Sequence, residues 1–291
     1  MNTELLVDET TIELEGIQRE ITILHITDMH LTEIDERERK EVIAAAAQRQ
    51  RHFNRNRTRS LFTAMVELSN RLGVDCTVFT GDIIDFPSQR NLELMKEQYD
   101  LLNSPYMYTL GNHDWLFMNA PVDDETRESF YPKFQPFTDG NPAYQAKVIG
   151  GIRLITFDNS NYQISEDQLT FVKDQVQTGM PCLLFMHIPL YIPALAPRVE
   201  QVWGSPILLA AQGWDPNKRR QWNVRDDDQS TTQFYEWLTS DDSRNIKAIF
   251  CGHVHFARTD SFGSGRCQSI TRPGFEGGCR KIRIVPKETG L

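Results

Sequence analysis

Short apolar runs recur along the chain, and each has the length and composition of a buried β-strand. The runs that predict core strands are residues 21–27, 76–80, 106–110, 152–158, 181–186 and 246–251. Stretches with helical apolar spacing lie between most of these runs, so strand and helix alternate along the sequence. This alternation predicts an α/β protein whose parallel strands are joined by right-handed crossovers.

Helices are predicted where apolar residues recur every three to four positions. The predicted helices are residues 33–72 (one or two helices), 89–102, 165–177 and 231–239. In the first of these, Ile43 is followed by four alanines, and residues 61–72 carry an apolar stripe. Ser165 and Gln168 have the spacing of a capping box, which indicates where the third region begins.

The first segment and the middle of the chain predict additional strands. Residues 4–20 alternate apolar and polar side chains around a glycine, which predicts a small hairpin or an edge strand. Residues 144–149 are followed by a Gly150-Gly151 pair and then by the strand at 152–158. A glycine pair between two strand-like runs is typical of a β-hairpin.

Three regions have weaker periodicity. Residues 115–141 contain several prolines and predict a loop-rich stretch. Residues 191–230 are the least regular part of the chain, and residues 256–285 predict short strands that close a second sheet. Because the sequence contains no internal repeat or obvious linker, we expect a single domain that spans residues 1–291.

Composition is that of an ordinary globular protein, with 40% hydrophobic and 24% charged residues. No apolar run approaches the ~20 residues that span a bilayer, so no membrane association is expected. Five cysteines without a C-x-x-C pair favour reduced thiols over a disulfide framework. The first residues contain no basic region ahead of an apolar one, which argues against a secretory signal. These features together predict a cytoplasmic protein.

The formal net charge of −9 disfavours a general nucleic-acid-binding protein, which needs a basic surface. Arginines nevertheless cluster in the first helical region. They are Arg49, Arg51, Arg55, Arg57 and Arg59. Two interpretations remain open at this stage: a solvated helix face or helix corner, and a rim that faces phosphate groups beside a site.

Polar motifs follow the predicted strands at the points where the strands end. They are Asp28-x-His30, Gly81-Asp82-x-x-Asp85, Gly111-Asn112-His113-Asp114, His187 and Gly252-His253-x-His255. In an α/β layout, strand ends meet at a sheet edge where loops build sites, and a carboxylate there caps a helix or binds a metal. Five of the seven histidines lie in these motifs. His25, inside the first strand, is expected to be a hydrogen-bonded core histidine instead.

Taken in this order, the motifs resemble those of the calcineurin-like metallophosphoesterases over residues 28–255, and their form is closest to bacterial cyclic-nucleotide phosphodiesterase-like members. The resemblance implies two mixed β-sheets packed as a sandwich and flanked by helices. It also implies two bound metal ions. The implied ligands are Asp28, His30, Asp82 and His255 for the first ion and Asp82, Asn112, His187 and His253 for the second, with Asp82 bridging. Oxygen and imidazole donors without thiolate suit Mn, Fe, Ni or Zn.

The same resemblance implies a mechanism. His113 would protonate the leaving oxygen or stabilise the transition state, and Asp114 would orient His113. Asp85 is expected to fix a neighbouring group by a hydrogen bond rather than to bind a metal. The implied reaction is hydrolysis of a phosphodiester or phosphomonoester bond in a small molecule through a metal-bridging hydroxide.

At several positions the sequence differs from known subfamilies, and these differences narrow the choice of subfamily. The ligating tyrosine of purple acid phosphatases is replaced by Asp85, and the arginines of protein Ser/Thr phosphatases are replaced by Phe86-Pro87 and Leu110. Related motifs also occur in glycerophosphodiesterases and DNA-repair nucleases. A nuclease acting on DNA or RNA ends therefore remains an alternative, as does an inactive scaffold, although no motif residue is missing.

Substrate recognition is expected in residues 191–230, which follow His187 and precede the strand that leads to His253. The segment lacks the periodicity of a core element, which is typical of a lid or rim. The candidates for phosphate contact are Arg198, Arg219 and Arg220, and the candidates for stacking on a base or aryl group are Trp214, Trp203 and Trp222. The alternative for each tryptophan is packing of the segment onto the domain, or a subunit contact.

Overall fold

The computed structural model describes residues 4–117 and 121–287. The N-terminal residues behind the targeting prediction (1–3) and part of the predicted loop-rich stretch (118–120) lie outside the described residues. Within the described ranges, no helix combines the length and apolarity needed to cross a membrane. All five cysteines are free thiols, as the absence of a disulfide pattern predicts.

Two β-sheets form the centre of the fold. The strands of the first sheet are β1 (Leu6–Leu14), β2 (Ile21–Ile26), β3 (Cys76–Thr80), β4 (Tyr106–Thr109) and β11 (Gly278–Pro286), in the order β1-β11-β2-β3-β4. The strands of the second are β5 (Tyr144–Ile149), β6 (Ile152–Phe157), β7 (Cys182–Phe185), β8 (Ile246–Cys251), β9 (Arg258–Phe262) and β10 (Arg266–Ile270), in the order β5-β6-β7-β8-β10-β9.

Each sheet mixes parallel and antiparallel pairs. The central strands β2, β3 and β4 pair in parallel, and so do β6, β7 and β8, as the strand–helix alternation predicts. The antiparallel pairs are β2 with β11, β5 with β6, and β9 with β10. Because the parallel strands of each sheet share a direction, their carboxyl ends deliver the motif residues to one edge.

The helices of the described residues are α1 (Lys40–Phe53), α2 (Arg55–Leu72), α3 (Gln89–Tyr99), α4 (Asn112–Trp115), α5 (Asp124–Phe134), α6 (Glu166–Gln177), α7 (Ala196–Trp203), α8 (Pro216–Gln221) and α9 (Gln229–Thr239). Of these, α2 and α3 pack on the outer face of the first sheet, and α6 and α9 pack on that of the second. The predicted capping box of α6 is confirmed: Gln168 N donates to Ser165 Oγ at 3.2 Å, and Ser165 N donates to Gln168 Oε1 at 2.8 Å.

A buried apolar core fills the space between the sheets. Ile23 and Val78 of the first sheet pack with Leu154, Phe185 and Phe250 of the second. These side chains are almost fully removed from water, and each contributes roughly 1.5–3 kcal/mol relative to exposure. The core fixes the two sheets against each other and so fixes the relative positions of the motif loops at their ends.

His25 lies in the region between the sheets and is fully buried. Its Nδ1 lies 2.8 Å from Thr271 Oγ1 and its Nε2 2.7 Å from Thr80 Oγ1, so both ring nitrogens have partners. Burial, followed by the charge of Arg280, lowers the pKa of His25 to about 3. The interpretation of His25 as a hydrogen-bonded core histidine is confirmed.

Of the two alternatives for residues 4–20, the edge strand is confirmed, because β1 lies at the edge of the first sheet and pairs with the C-terminal strand β11. Two other predictions about the less regular segments are corrected. Strand β11 enters the first sheet rather than the second, with Ile282 and Ile284 in the core between the sheets. Within residues 115–141, α5 forms despite Pro132, because Asp123 caps its first turn and Pro132 lies near its end.

The segment at residues 191–230 is more ordered than its sequence predicts. It contains α7 and α8, and its residues Leu195, Val199 and Leu208 are buried in the apolar cluster on the outer face of the second sheet. Trp203, Trp214 and Trp222 also pack against this cluster and remain partly exposed. Packing of the segment onto the rest of the protein, which was the alternative to substrate stacking, is therefore part of what these tryptophans do.

Candidate metal centre

Left-handed backbone conformations mark the motif loops. Asp28, His30, Asp82, His253 and His255 have φ values of 52°, 47°, 50°, 71° and 56°. Such values are uncommon outside glycine and cluster at functional sites. In a regular strand His253 and His255 would lie on the same face two residues apart. The turned backbone lets their rings approach two different groups.

Two glycines permit the close approach of these loops. A Cβ atom on Gly81 would overlap the backbone of Gly111 in the neighbouring loop. A Cβ atom on Gly252 would overlap the side chains of Thr27 and Asp28. Glycine is therefore required at both positions for the Asp28, Asp82, Asn112 and His253 loops to meet.

The motif side chains form three groups of potential metal donors, with the donor atoms of each group within 4.8 Å of one another. A group of His30, Asp85 and His113 has its carboxylate already paired with Arg49. The other two groups share Asp82: one is Asp28, His30, Asp82 and His255, and the other is Asp82, His187 and His253. His255 Nε2 lies 3.2 Å from Asp28 Oδ1, and His187 Nε2 lies 3.2 Å from Asp82 Oδ2. Asp82 belongs to both groups, as a bridging ligand must.

Among the described residues, the buried Oδ1 of Asn112, the first residue of α4, has no hydrogen-bond partner. The buried Nε2 of His187 faces the Asp82 carboxylate as an ion pair at 3.2 Å. An unpaired buried polar atom is costly, and native sites usually satisfy it with a partner, water or an ion. Asn112 Oδ1 carries lone pairs suited to a divalent cation, and His187 Nε2 offers one once it has lost its proton. No thiolate lies among the donors, so the residues fit the ions that the sequence predicts.

The charges of the cluster also favour cations. Burial alone would raise the pKa of Asp28, but the hydrogen bond and charge of His255 lower it to about 2. Burial alone would lower the pKa of His187, but the charge of Asp82 raises it to about 9. A proton on His187 thus balances a buried carboxylate, and a metal ion that binds His187 would release that proton and take over the charge balance.

His113 is held at the mouth of the cluster. Its backbone N–H donates to Asp82 Oδ1 at 2.8 Å, and its side chain is 33% exposed. The ring Nδ1 lies 3.3 Å from Asp85 Oδ1. Burial would lower the pKa of His113, but the charge of Asp82 and the hydrogen bond with Asp85 raise it. The ring can therefore hold a proton beside the cluster.

The expected contact between Asp114 and His113 is absent from the described residues. The Asp114 carboxylate instead accepts hydrogen bonds from the backbone N–H groups of Asp82 at 2.9 Å, Ile84 at 3.0 Å and Gly111 at 2.6 Å. The short helix α4 turns this side chain back toward the loop of Asp82, so Asp114 fixes that loop. Burial, followed by the charge of Asp82, raises the pKa of Asp114 to about 7.

The carboxylate that faces His113, a position expected for Asp114, is that of Asp85. Its Oδ1 lies 2.9 Å from Nδ1 of His30 and faces His113 as well. Arg49 binds the same carboxylate with two nitrogens, and these hydrogen bonds outweigh burial and lower the pKa of Asp85. Asp85 thus makes hydrogen bonds to two site histidines, in the manner expected of it.

The arginines of residues 49–59 do not all have the same role, and each of the two interpretations left open applies to some of them. Arg49 reaches the site through Asp85, whereas Arg55 pairs with Glu33 and Arg57 donates to the backbone of Glu276. Phe53, one turn after Arg49 on the same helix face, stacks on His30 with ring centroids 4.3 Å apart. This i, i+4 pair is a signal in the sequence that could have linked α1 to the site.

The predicted substrate arginines bond within their own segment. Arg198 donates to Gln201, Arg219 pairs with Asp226, and Arg220 donates to Asn217. Across residues 4–117 and 121–287, none of the three forms a hydrogen bond or ion pair with a motif residue. Trp214 packs on the second-sheet cluster and has no ring contact with a site histidine in those ranges.

Aromatic side chains surround the histidines of the first group instead. Trp203 lies with its ring centroid 5.3 Å from that of His255, and its Nε1 donates to Val254 O at 3.0 Å. Phe275 lies 5.1 Å from His255 and 5.6 Å from His30, again centroid to centroid. Phe53 and Phe275 were not among the predicted site residues. Neither lies in a motif, and both reach the site histidines from remote segments of the chain.

Comparison with known proteins places the chain in a family. A family model described as calcineurin-like phosphoesterase matches residues 21–257, which is most of the chain. The chain belongs to this family. The match confirms the predicted family and, with it, the predicted class of metal-dependent phosphoric ester hydrolases. The family and the donor groups together support a binuclear metal centre.

A curated relative is a probable glycerophosphodiester phosphodiesterase from Arcobacter nitrofigilis, which is 28% identical over 139 residues. The aligned region covers 45% of this chain and 48% of the relative, so the match spans about half the length of the curated protein.

Solved structures agree on the fold. A dimetal phosphatase from Danio rerio superposes with a TM-score of 0.56 at 15% identity, and the match covers 88% of each chain. The purple acid phosphatase PPD1 from yellow lupin gives a TM-score of 0.54 at 14% identity, covering 91% of this chain and 45% of that one. These likenesses confirm the predicted α/β fold of two mixed sheets flanked by helices.

Proposed function

We propose that this protein is a dinuclear metal-dependent phosphoesterase that hydrolyses the phosphodiester or phosphomonoester bond of a small molecule. The observation that carries the proposal is the pair of donor groups that share Asp82. The buried Oδ1 of Asn112, which has no hydrogen-bond partner in the described part of the chain, supplies a second, independent reason for an ion at the second group.

The proposed ligands are those that the family resemblance implies. The first ion is held by Asp28, His30, Asp82 and His255, and the second by Asp82, Asn112, His187 and His253. Bound divalent ions supply Lewis-acid chemistry, which activates water and offsets the charge of a phosphate group. Mn, Fe, Ni and Zn all suit this donor set.

Within this proposal His113 delivers the proton that the leaving oxygen needs. Its Nδ1 faces Asp85, which leaves Nε2 free for the substrate side. Asp85 stabilises the protonated ring and orients it, and Arg49 fixes Asp85 from the opposite side. Asp114 supports the reaction indirectly, by holding the loop that carries Asp82.

We favour small phosphodiesters as the substrate class. The curated relative carries the name of a glycerophosphodiester phosphodiesterase, which supports the diester preference. Trp203 and Phe275 offer apolar surface beside the first donor group for one ester substituent. The nuclease alternative loses support because Arg49 and Arg55 are already paired with Asp85 and Glu33, and the net charge is −9.

A substrate screen tests the proposal. The protein is freed of metal, reconstituted with Mn, Fe, Ni or Zn, and assayed with a bis-aryl phosphate, an aryl monophosphate, a cyclic nucleotide and a glycerophosphodiester. We expect metal-dependent hydrolysis of a diester, and its loss in Asp82→Asn. The exposed carboxylate of Asp100 provides a control, since Asp100→Asn should retain wild-type rates. Failure of every metal-loaded sample to hydrolyse any of the four compounds would contradict the proposal.

A further inference from the structure

A buried polar loop follows β6 and is not used by the mechanism above. Its residues, 158–163, are Asp-Asn-Ser-Asn-Tyr-Gln, and each is at most 6% exposed. Loops normally run over the surface, because a buried loop must find a partner for each of its polar groups. The hydrogen-bond partners of these buried polar groups therefore indicate which parts of the protein the loop holds in place.

Tyr162 contacts a proposed ligand of the second ion. Its hydroxyl lies 2.9 Å from Nε2 of His253, and the two rings meet edge to face at 5.6 Å between centroids. The Tyr162 backbone has a φ of 66°, an unusual value for a bulky residue. With Nε2 bonded to the hydroxyl, Nδ1 is the ring nitrogen left to bind a metal, so Tyr162 selects the ligand atom and the ring orientation.

Asn159 holds the segment of a second proposed ligand. Its Oδ1 accepts the backbone N–H of His187 at 3.2 Å and that of Ile188 at 3.1 Å. Its Nδ2 donates to Ile188 O at 2.8 Å. One side chain therefore satisfies three backbone groups and fixes the turn from which the His187 ring projects.

Ser160 reaches the helix of a third proposed ligand. Its Oγ accepts a hydrogen bond from Trp115 Nε1 at 2.8 Å, and Trp115 is the last residue of α4, which begins at Asn112. The loop thus touches the segments of three of the four proposed ligands of the second ion. Among the described residues, its side chains make no hydrogen bond to Asp28, His30 or His255.

The far side of the loop is anchored on α5. Asn161 Oδ1 accepts from the buried guanidinium of Arg127 at 2.8 Å, and Asp158 Oδ2 accepts from the hydroxyl of Tyr131 at 2.9 Å. These contacts hold the loop from outside, while Tyr162, Asn159 and Ser160 face the second donor group. The loop is therefore held between a helix and three ligand segments.

We propose that the loop at residues 158–163 is a brace that sets the affinity of the second metal ion, with Tyr162 as a positioning residue that acts through His253. This inference rests on the proposed binuclear function. It predicts that the two ions respond differently to substitution in the loop: loss of a brace contact weakens binding of the second ion and leaves the affinity for the first ion unchanged. Hydrogen bonds to metal-binding histidines of this kind change metal affinity by about 10–100-fold.

The test is stepwise Mn²⁺ titration of the metal-free wild type and of Tyr162→Phe. Calorimetry gives the two dissociation constants, and electron paramagnetic resonance distinguishes a single ion from a spin-coupled pair. The substitution removes one hydroxyl and keeps the ring, so the fold is expected to persist, and thermal unfolding of the metal-free protein checks this. Tyr99→Phe is the matched control, because the buried hydroxyl of Tyr99 has no hydrogen-bond partner among the described residues. Tyr99 packs in the apolar cluster of the first sheet, whereas Tyr162 packs in that of the second.

For Tyr162→Phe we expect the second dissociation constant to rise about 10–100-fold, the first to stay unchanged, and the spin-coupled signal to need correspondingly more Mn²⁺. Tyr99→Phe should behave as wild type. Unchanged binding of both ions, or equally weakened binding of both, would contradict the proposal that residues 158–163 set the affinity of the second ion. Wild-type protein that binds a single ion would instead contradict the binuclear function on which the inference rests.

Discussion

Arg49 binds the buried carboxylate of Asp85 through two nitrogens, with Nε 2.5 Å from Oδ2 and Nη2 2.6 Å from Oδ1. The same carboxylate faces Nδ1 of His30 and Nδ1 of His113. A two-point contact of this type fixes the plane of the carboxylate as well as its charge. Helix α1 is thereby connected to one proposed metal ligand and to the proposed proton donor.

Replacement of Arg49 by glutamine should reduce catalysis while both ions stay bound. The change leaves Asp85 buried without its cationic partner, so its hold on His113 weakens. We expect kcat to fall about 10–100-fold, by the same reasoning as for other residues that orient site groups. The measurement is steady-state kinetics together with metal content. Arg51→Gln, on the exposed face of the same helix, is the control and should match wild type. A wild-type kcat in Arg49→Gln would show that the contact of Arg49 with Asp85 makes no contribution to catalysis.

Removal of the His113 side chain should separate catalysis from metal binding. His113 lies outside the proposed ligand sets, so His113→Ala should keep both ions while its rate falls roughly 10²–10⁴-fold. The loss should be smaller for substrates whose leaving group needs no proton. A series of aryl phosphodiesters with leaving groups of graded acidity measures this. An equal loss across the series would assign His113 to charge stabilisation instead of proton donation.

The buried His25 should make stability depend on pH. Its pKa of about 3 in the folded protein lies below the unfolded value of about 6.5, so the unfolded chain binds the proton more tightly. The contribution is fully present above pH 6.5 and is lost progressively as the pH falls toward 3. At pH 5 the loss amounts to roughly 2 kcal/mol.

Chemical denaturation of the metal-free protein between pH 7.5 and about 5 measures this effect. The free energy of unfolding of His25→Gln should fall less steeply with decreasing pH than that of wild type. His52 is exposed, so His52→Gln should keep the wild-type slope. Parallel slopes for wild type and His25→Gln would show that His25 takes no part in the pH dependence.

Trp203 should contribute to substrate affinity where the predicted arginines do not. Loss of an aromatic contact of this size is worth about 0.5–1.5 kcal/mol, so Trp203→Leu should raise KM for an aryl diester by up to about 10-fold. Trp214→Leu, an equivalent change in the same segment, should leave KM near wild type. Kinetics with an aryl diester and a glycerophosphodiester test the pair. A larger KM effect from Trp214 or from Arg219→Ala would return substrate recognition to residues 211–230.

The sequence sufficed for the family, for the parallel strands and for the residues that gather at their ends. Asp28, Asp82 and Asn112 could be located because each follows a short apolar strand, and parallel strands bring their ends to one edge. The core role of His25 followed from its position inside a strand. These features depend on local patterns that a single segment carries.

Other features depend on contacts between remote segments and could not be read locally. Asp85, and not Asp114, faces the ring of His113, because the turn at α4 directs the Asp114 carboxylate toward the loop of Asp82. Strand β11 lies between β1 and β2 in the first sheet, a pairing of remote segments that no local pattern indicates. The loop at residues 158–163 has an unremarkable sequence, and its importance appears when its partners at His187, His253 and Trp115 are known.

Elemental analysis of Asp82→Ala tests whether Asp82 bridges the two proposed ions. Wild-type protein reconstituted with Mn²⁺ should contain two ions per chain, and Asp82→Ala should lose at least one of them together with nearly all activity, since both donor groups depend on this carboxylate. Two ions at full occupancy in an active Asp82→Ala protein would contradict the account.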